Sequence, residues 1–415
     1  MKKTISLLLL TGFILFFGAC QSDDATNEMA LFAVPIVASM DDIREGITVE
    51  AARQTASEGK IYVAEHYLFY IAKEEGIHIF DNTDPSAPAN IAFINLEGVH
   101  DIAVKGNYLY ADNYIDLVVF DISNIQNISL EQTLPNVIAF NPEYPEDAAY
   151  YDYTVTPGVG EIVVGYEFEM RPIPEDQGWT VDDALGNFEG APSNGAVGIG
   201  GSYARFQINK NALYTVDSYQ LNVFNIAVPT AIVFDQSVNM TQWFGGEFET
   251  LFLQGDYLFV GATTGMYVVD AQNEFNPYFI SGFDHATACD PVVVNGNTAY
   301  ITVRGGTTCG AIDDQVNVID VSDINNPSLL STYLLNQPYG LGIKEQTLFV
   351  CCGSDGLKVF DASNPNALVL QNTYTLNVTD VIPLDSHLIV VGPNQITQYS
   401  YGTGFTLQQL SVVNF

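Results

Sequence analysis

The sequence is short of basic residues. Only 13 Lys and Arg stand against 49 Asp and Glu, for a formal charge of −36. That balance disfavours nucleic acid and anionic surfaces as partners, because a strongly acidic chain is repelled by phosphate. There are two Trp, too few for propellers docked by tryptophan. The five His (His66, His78, His100, His285, His387) have no metal-ligand spacing. The five Cys include no CxxC pair, and no GxSxG nucleophile signature occurs. After residue 19 no apolar run is long enough to span a membrane. What is present is Val, Ile, Tyr, Phe, Asn and Gly, a composition of strands and turns.

The N-terminus has the three parts of a secretory signal: Lys2 and Lys3, the apolar run Ile5 to Phe17, then Gly18 and Ala19 before Cys20. Phe17-Gly18-Ala19-Cys20 resembles a bacterial lipobox, which implies a signal peptide over residues 1–19 and acylation of Cys20, palmitate included. Acyl chains would hold the protein at a membrane without a spanning segment. Gln21-Ser22-Asp23-Asp24 resembles the acidic export signal of Bacteroidetes-type lipoproteins, which implies the outer membrane and exposure at the cell surface. Residues 20–58 are expected to form a lipidated tether, flexible over 21–35, and a short helix that Ser39 and Asp42 cap and Gly46 ends.

One segment recurs, of the form aliphatic-x-Val-Phe-Asp. Its copies end at Asp81, Asp121, Asn225, Asp270, Asp320, Asp361 and, in degenerate form, Ser400. Most spacings are 39 to 50 residues, the period of a propeller blade. Hairpins with two-residue Gly-Asn or Gly-Asp turns precede it, as at Gly106-Asn107, Gly255-Asp256 and Gly296-Asn297. The closing Asp is expected to cap the following turn through its carboxylate. The pattern predicts an all-β chain: one β-propeller over 59–415 with seven four-stranded blades, eight as the alternative. The wide spacing of 104 residues holds an insertion at about 138–200, after the second blade. There, 153–158 and 161–166 suggest an extra hairpin and 171–200 a long loop.

These repeats resemble the LVIVD-repeat propellers of bacterial surface and periplasmic proteins. The resemblance rests on segments such as Gly76-Ile77-His78-Ile79-Phe80-Asp81-Asn82 and on Asp101-Ile102-Ala103-Val104-Lys105-Gly106-Asn107-Tyr108-Leu109-Tyr110. It implies fold and export, and it carries over no catalytic residue.

Inner strands of a propeller start beside the central channel, on the face where ligands usually enter. Their starts supply His100, Asp101, Arg205, Glu249, Asp290, Tyr339 and Asp380. Such a rim suits a cation or a hydroxyl-rich ligand, or else it only satisfies strand ends around a water-filled channel. With Cys20 acylated, Cys289, Cys309, Cys351 and Cys352 remain, with three possible disulfide pairings. Cys289–Cys309 would pin the 305–310 loop, and Cys351–Cys352 would be vicinal or stay reduced. The expectation is a lipid-anchored, monomeric binding or scaffold module for a glycan, polymer or protein. It would have no catalytic residues, no cofactor (a divalent cation such as calcium being possible) and no nucleic-acid partner. The alternative is a metal-assisted hydrolase or lyase using rim carboxylates.

Overall fold

The computed structural model describes residues 29–54, 59–73, 75–140, 142, 145, 147–173, 194–195, 198–217, 219–239, 247–284, 291–305 and 313–415. The chain is an all-β propeller. Four-stranded antiparallel meanders occupy residues 59–95, 102–134, 206–239, 248–284, 292–334, 341–374 and 380–414, numbered here 1 to 7. Five are separate sheets; meanders 1 and 3 are joined within an eleven-stranded sheet by residues of the insertion.

The repeated segment is the third strand of every meander, from Gly76–Asp81 to Gln395–Tyr401. Its closing residue caps the next turn, as expected. Asp81, Asp121, Asn225, Asp270, Asp320 and Asp361 each accept the backbone N–H two residues on, at 2.7 to 3.0 Å. The hydroxyls of Thr83, Ser123 and Ser322, with these backbone N–H groups, favour the charged form and hold Asp81, Asp121 and Asp320 below the usual carboxylate range; the Ser363 N–H and hydroxyl do the same for Asp361.

The core lies between meanders. Seven apolar clusters each join two consecutive meanders, and the last joins meander 7 back to meander 1. In that closing cluster Ile382, Ile389 and Val391 meet Ile61, Leu68 and Tyr70. The Phe415 ring packs, tilted, against Tyr70 at 4.3 Å.

A second repeated contact ties the fourth strands to the next meander. The residue opposite the motif's Val donates to a carbonyl in the following third-to-fourth-strand turn: Gln132 to Ile232, Gln236 to Phe275, Ser281 to Ile324 and Ser331 to Pro365. Asn372 donates to Phe405 in the same way, and Ser411 closes the ring by donating to Pro85. The meander 1 counterpart is Ala92, which has no donor to offer.

The N-terminal layer differs from the expected tether and extra hairpin. Met29–Ser39 is a strand that runs antiparallel to Glu161–Pro172 and parallel to Tyr150–Tyr151. The segment 161–166 therefore pairs with residues 35–39 and not with 153–158. Its apolar residues Phe32, Ala33 and Val34 gain burial that a tether would forgo. A helix follows at Met40–Glu45, with Ser39 as N-cap and Gly46 at its end. Met40 and Ile43 pack with Tyr114 of the second meander. Arg44 makes a two-pronged pair with buried Asp116 at 2.6 and 3.0 Å.

Cys351 and Cys352 are free and buried. A vicinal disulfide is corrected here by strand alternation. Cys351 points into the cluster shared with meander 7, and Cys352 into the one shared with meander 5. Burial pushes both thiols up, Cys352 to about 12. Cys20, Cys289 and Cys309 lie outside the described residues.

Candidate functional site at the channel mouth

The insertion returns through the channel. Asn194–Gly195 lies parallel to the inner strand of meander 3, and Gly198–Gly200 lies antiparallel to the inner strand of meander 1. Residues 201–205 then run past four other meanders. Gly201 abuts Asp380 so closely that a Cβ would sit 1.5 Å from its Oδ2. Ser202 Oγ donates to Asp380 Oδ1 at 3.1 Å and accepts from the Leu341 N–H at 2.9 Å. Ala204 accepts from the Leu251 N–H, and the Arg205 N–H donates to Asp101 Oδ2 at 2.7 Å.

Of the two expectations for the acidic rim, a ring for a cation or ligand or groups that satisfy strand ends, the acids act in the second way and receive backbone N–H groups. Asp101 Oδ1 accepts from Ile102, and Asp380 Oδ1 accepts from Val381 and Ser202. Asp112 gathers the N–H groups of His100 and Asp101 at 2.8 Å each, and its Oδ2 lies 3.0 Å from His100 Nδ1. Burial raises Asp380 to about 6, opposed by these N–H groups. Burial also raises Asp101, opposed by Lys60, while burial lowers Lys60, opposed by Asp101.

Beside this braid lies a cavity of about 350 Å³. Lys60, Lys73, His100, Tyr203, Tyr339 and Asp380 line it, with Thr379 and Asn377. It opens between meanders 1, 2, 6 and 7. Lys60 Nζ donates to the His100 carbonyl at 3.2 Å. Arg304 stands over the Tyr339 ring at 4.4 Å, and the Phe140 ring lies 5.4 Å from His100.

Of the rim residues expected from sequence, His100, Tyr339 and Asp380 share this cavity. Asp101 and Arg205 meet just beside it, while Glu249 is buried on the inner strand Phe248–Gln254. Asp290 falls outside the described residues. Sequence reasoning missed Lys60, Lys73, Ser202 and Tyr203. Lys60 was legible, since it sits near the start of the first inner strand, where the other meanders were searched. His78 is a buried third-strand residue whose ring lies tilted against Phe93 at 4.6 Å, away from the cavity. No three His, Cys, Asp or Glu side chains converge as a possible metal site among the described residues.

Solved structures share this architecture. A protein from Lactobacillus plantarum matches with a TM-score of 0.54 at 12% identity, covering 85% of this chain and 95% of its own. The periplasmic gluconolactonase of Pseudomonas aeruginosa matches with a TM-score of 0.52 at 11% identity, covering 86% and 96%. At such identities the likeness is one of fold. No curated protein matches the sequence. The LVIVD repeat matches residues 98–133 and 245–284, the stretches that hold meanders 2 and 4.

Proposed function

We propose that the protein is a seven-bladed, lipid-anchored propeller, monomeric and exposed on the outer membrane, that holds a glycan at its channel mouth. The observation that carries this reading is the cavity, where two tyrosines, two lysines, a histidine and an aspartate converge from four meanders and the insertion. Concave sites with aromatic walls and a few placed polar groups are the usual form of small-ligand sites. The sugar rings would lie on Tyr203 and Tyr339, and the polar groups would meet hydroxyls. The reading as a metal-assisted hydrolase or lyase is less favoured, because Asp101 and Asp112 are engaged with backbone donors, as is Oδ1 of Asp380, and Asp380 Oδ2 stands alone as a buried oxygen without a partner.

The binding reading is tested on detergent-purified full chain by calorimetry against a panel of neutral and acidic oligosaccharides. At least one should bind, and Tyr339→Ala should weaken it by about tenfold or more, the scale of one lost aromatic anchor. The outward-facing Tyr278→Ala is the control and should leave affinity unchanged. Absence of binding across the panel, or equal effects of the two substitutions, rules the reading out.

Anchoring has its own test. Cys20→Ala should remove the incorporation of labelled palmitate and move the protein from the membrane fraction to the soluble one. If the variant stays membrane-bound and labelled, Cys20 is not the anchor.

A further inference from the structure

The strand pair at the N-terminus has two unlike faces. Met29–Ser39 and Glu161–Pro172 run antiparallel, with Met29 opposite Pro172, Leu31 opposite Met170 and Ala33 opposite Phe168. Directly opposite residues share a face, and successive residues alternate between faces. One face of the outer half therefore carries Met29, Leu31, Ala33, Phe168, Met170 and Pro172, with no charged side chain. The other carries Phe32 and Val34 with Glu167, Glu169 and Arg171. This second face is covered. Phe32 stacks on Tyr150 at 5.0 Å, and the Arg171 guanidinium lies 5.7 Å over the Phe32 ring. Arg171 is itself held by Glu169 and Asp152.

The uncharged face is open. Met29 is 49% exposed, Phe168 49% and Met170 58%. Large apolar side chains left to water side by side mark a contact surface. The chain itself says which surface lies in reach. Met29 follows Cys20 by nine residues. At about 3.6 Å per residue, covalent geometry keeps it within about 32 Å of that cysteine. Acyl chains on Cys20 would hold it at a bilayer, so the open end of the ribbon is tethered within reach of lipid. The other end is fixed to the propeller, because Ser39 caps the helix whose Met40 and Ile43 pack on Tyr114. The carboxylates Glu167 and Glu169 stand on the opposite face, where they do not oppose entry of Phe168 and Met170 into an apolar phase.

We propose that this face docks on the lipid surface, with Met29, Phe168 and Met170 in the bilayer interface as a second membrane contact beside the acyl anchor. The proposal rests on acylation of Cys20. The partner is a bilayer of zwitterionic or uncharged headgroups, because a chain of formal charge −36 is repelled by an anionic one. The contact gives the ribbon a use: it joins the anchor to the propeller rigidly.

The test places a tryptophan on each face. Membrane-extracted protein carrying Met170→Trp, Phe168→Trp or Glu167→Trp is reconstituted into phosphatidylcholine vesicles brominated in their acyl chains, and the wild type gives the background of the two native Trp. All three positions are exposed, so the substitutions spare the fold. Emission from Met170→Trp and Phe168→Trp should shift to the blue and be lost for the most part to the bromolipid, at low and at high salt alike. Glu167→Trp, on the opposite face, should be untouched by bromolipid and quenched by acrylamide in the water. If the protein floats with the vesicles but Met170→Trp is quenched by bromolipid no more than Glu167→Trp, the docking proposal is overturned while anchoring stands. If Met170→Trp is shielded from bromolipid and from acrylamide together, protein covers the face, and the proposal is equally overturned. If the wild type does not float with the vesicles, anchoring and docking both fall.

Discussion

Asp380→Ala should lower the unfolding free energy by roughly 3 kcal/mol, the scale of leaving several buried donors unpaired. One oxygen of this carboxylate collects the N–H groups of Val381 and Ser202 and the Ser202 hydroxyl. Ser202 in turn holds the Leu341 N–H, so the loss reaches meander 6 as well. Asp380→Asn keeps an acceptor at the same place and should cost far less at neutral pH. The pair also reports on charge. Burial lifts the folded-state pKa of Asp380 to about 6, above the roughly 3.9 of an unfolded chain. A raised pKa means that the contribution of this group is fully present below about pH 4 and is lost as pH rises through 6. Wild type should therefore gain stability relative to Asp380→Asn as pH falls from 7.5 to 4.5. Urea denaturation of both proteins at those two pH values measures this. A difference that shrinks or reverses on acidification would show that Asp380 is not held neutralisable by burial.

Asn82→Ala should cost roughly 2 to 4 kcal/mol, and adding Gln398→Val should restore part of that loss. Asn82 and Gln398 exchange two hydrogen bonds, of 2.6 and 3.0 Å, across the joint between meanders 1 and 7. His387 Nε2 lies 3.4 Å from the Asn82 amide. Both amides are buried, so removing one strands the other without water. Elsewhere the two positions are apolar. The site of Gln398 is Val223 in meander 3 and Val359 in meander 6, and the site of Asn82 is Ile122, Ile226 or Val321. Replacing both amides brings the joint closer to those dry contacts, so the double variant should be more stable than Asn82→Ala alone. Thermal and denaturant unfolding of the single and double variants would decide it. Additive losses would show that the two amides do not depend on each other.

The degenerate last motif thus has a physical cause that the sequence displayed without explaining. Ile396-Thr397-Gln398-Tyr399-Ser400 departs from the Val of the pattern where a buried amide partner faces it. The other third strands were legible because each carries its own signal: alternation, a turn of fixed length and an Asp or Asn oxygen that caps it. The N-terminal strand was not. Its apolar run was visible, but its partner Glu161–Pro172 lies more than a hundred residues on, and short-range periodicity says nothing of such pairing. The channel segment was hidden for a similar reason. Gly200-Gly201-Ser202 reads as loop, yet Gly201 is small because Asp380 presses on it. The rim acids were found by position in the repeat. That they satisfy their own strand ends was one reading of the sequence; that they also hold the returning insertion, through the Ser202 and Arg205 N–H groups, was not legible there.

The polar joint between the last meander and the first also acts as a length gauge. If meander 6 closed against meander 1, Asn82 would be buried opposite Val359, with its amide unanswered. The penalty for that orphaned amide falls on any ring that omits the last unit, because among the repeated segments only the final one carries an amide at that position. The amide pair between Asn82 and Gln398 thus disfavours closure of meander 1 on any other meander.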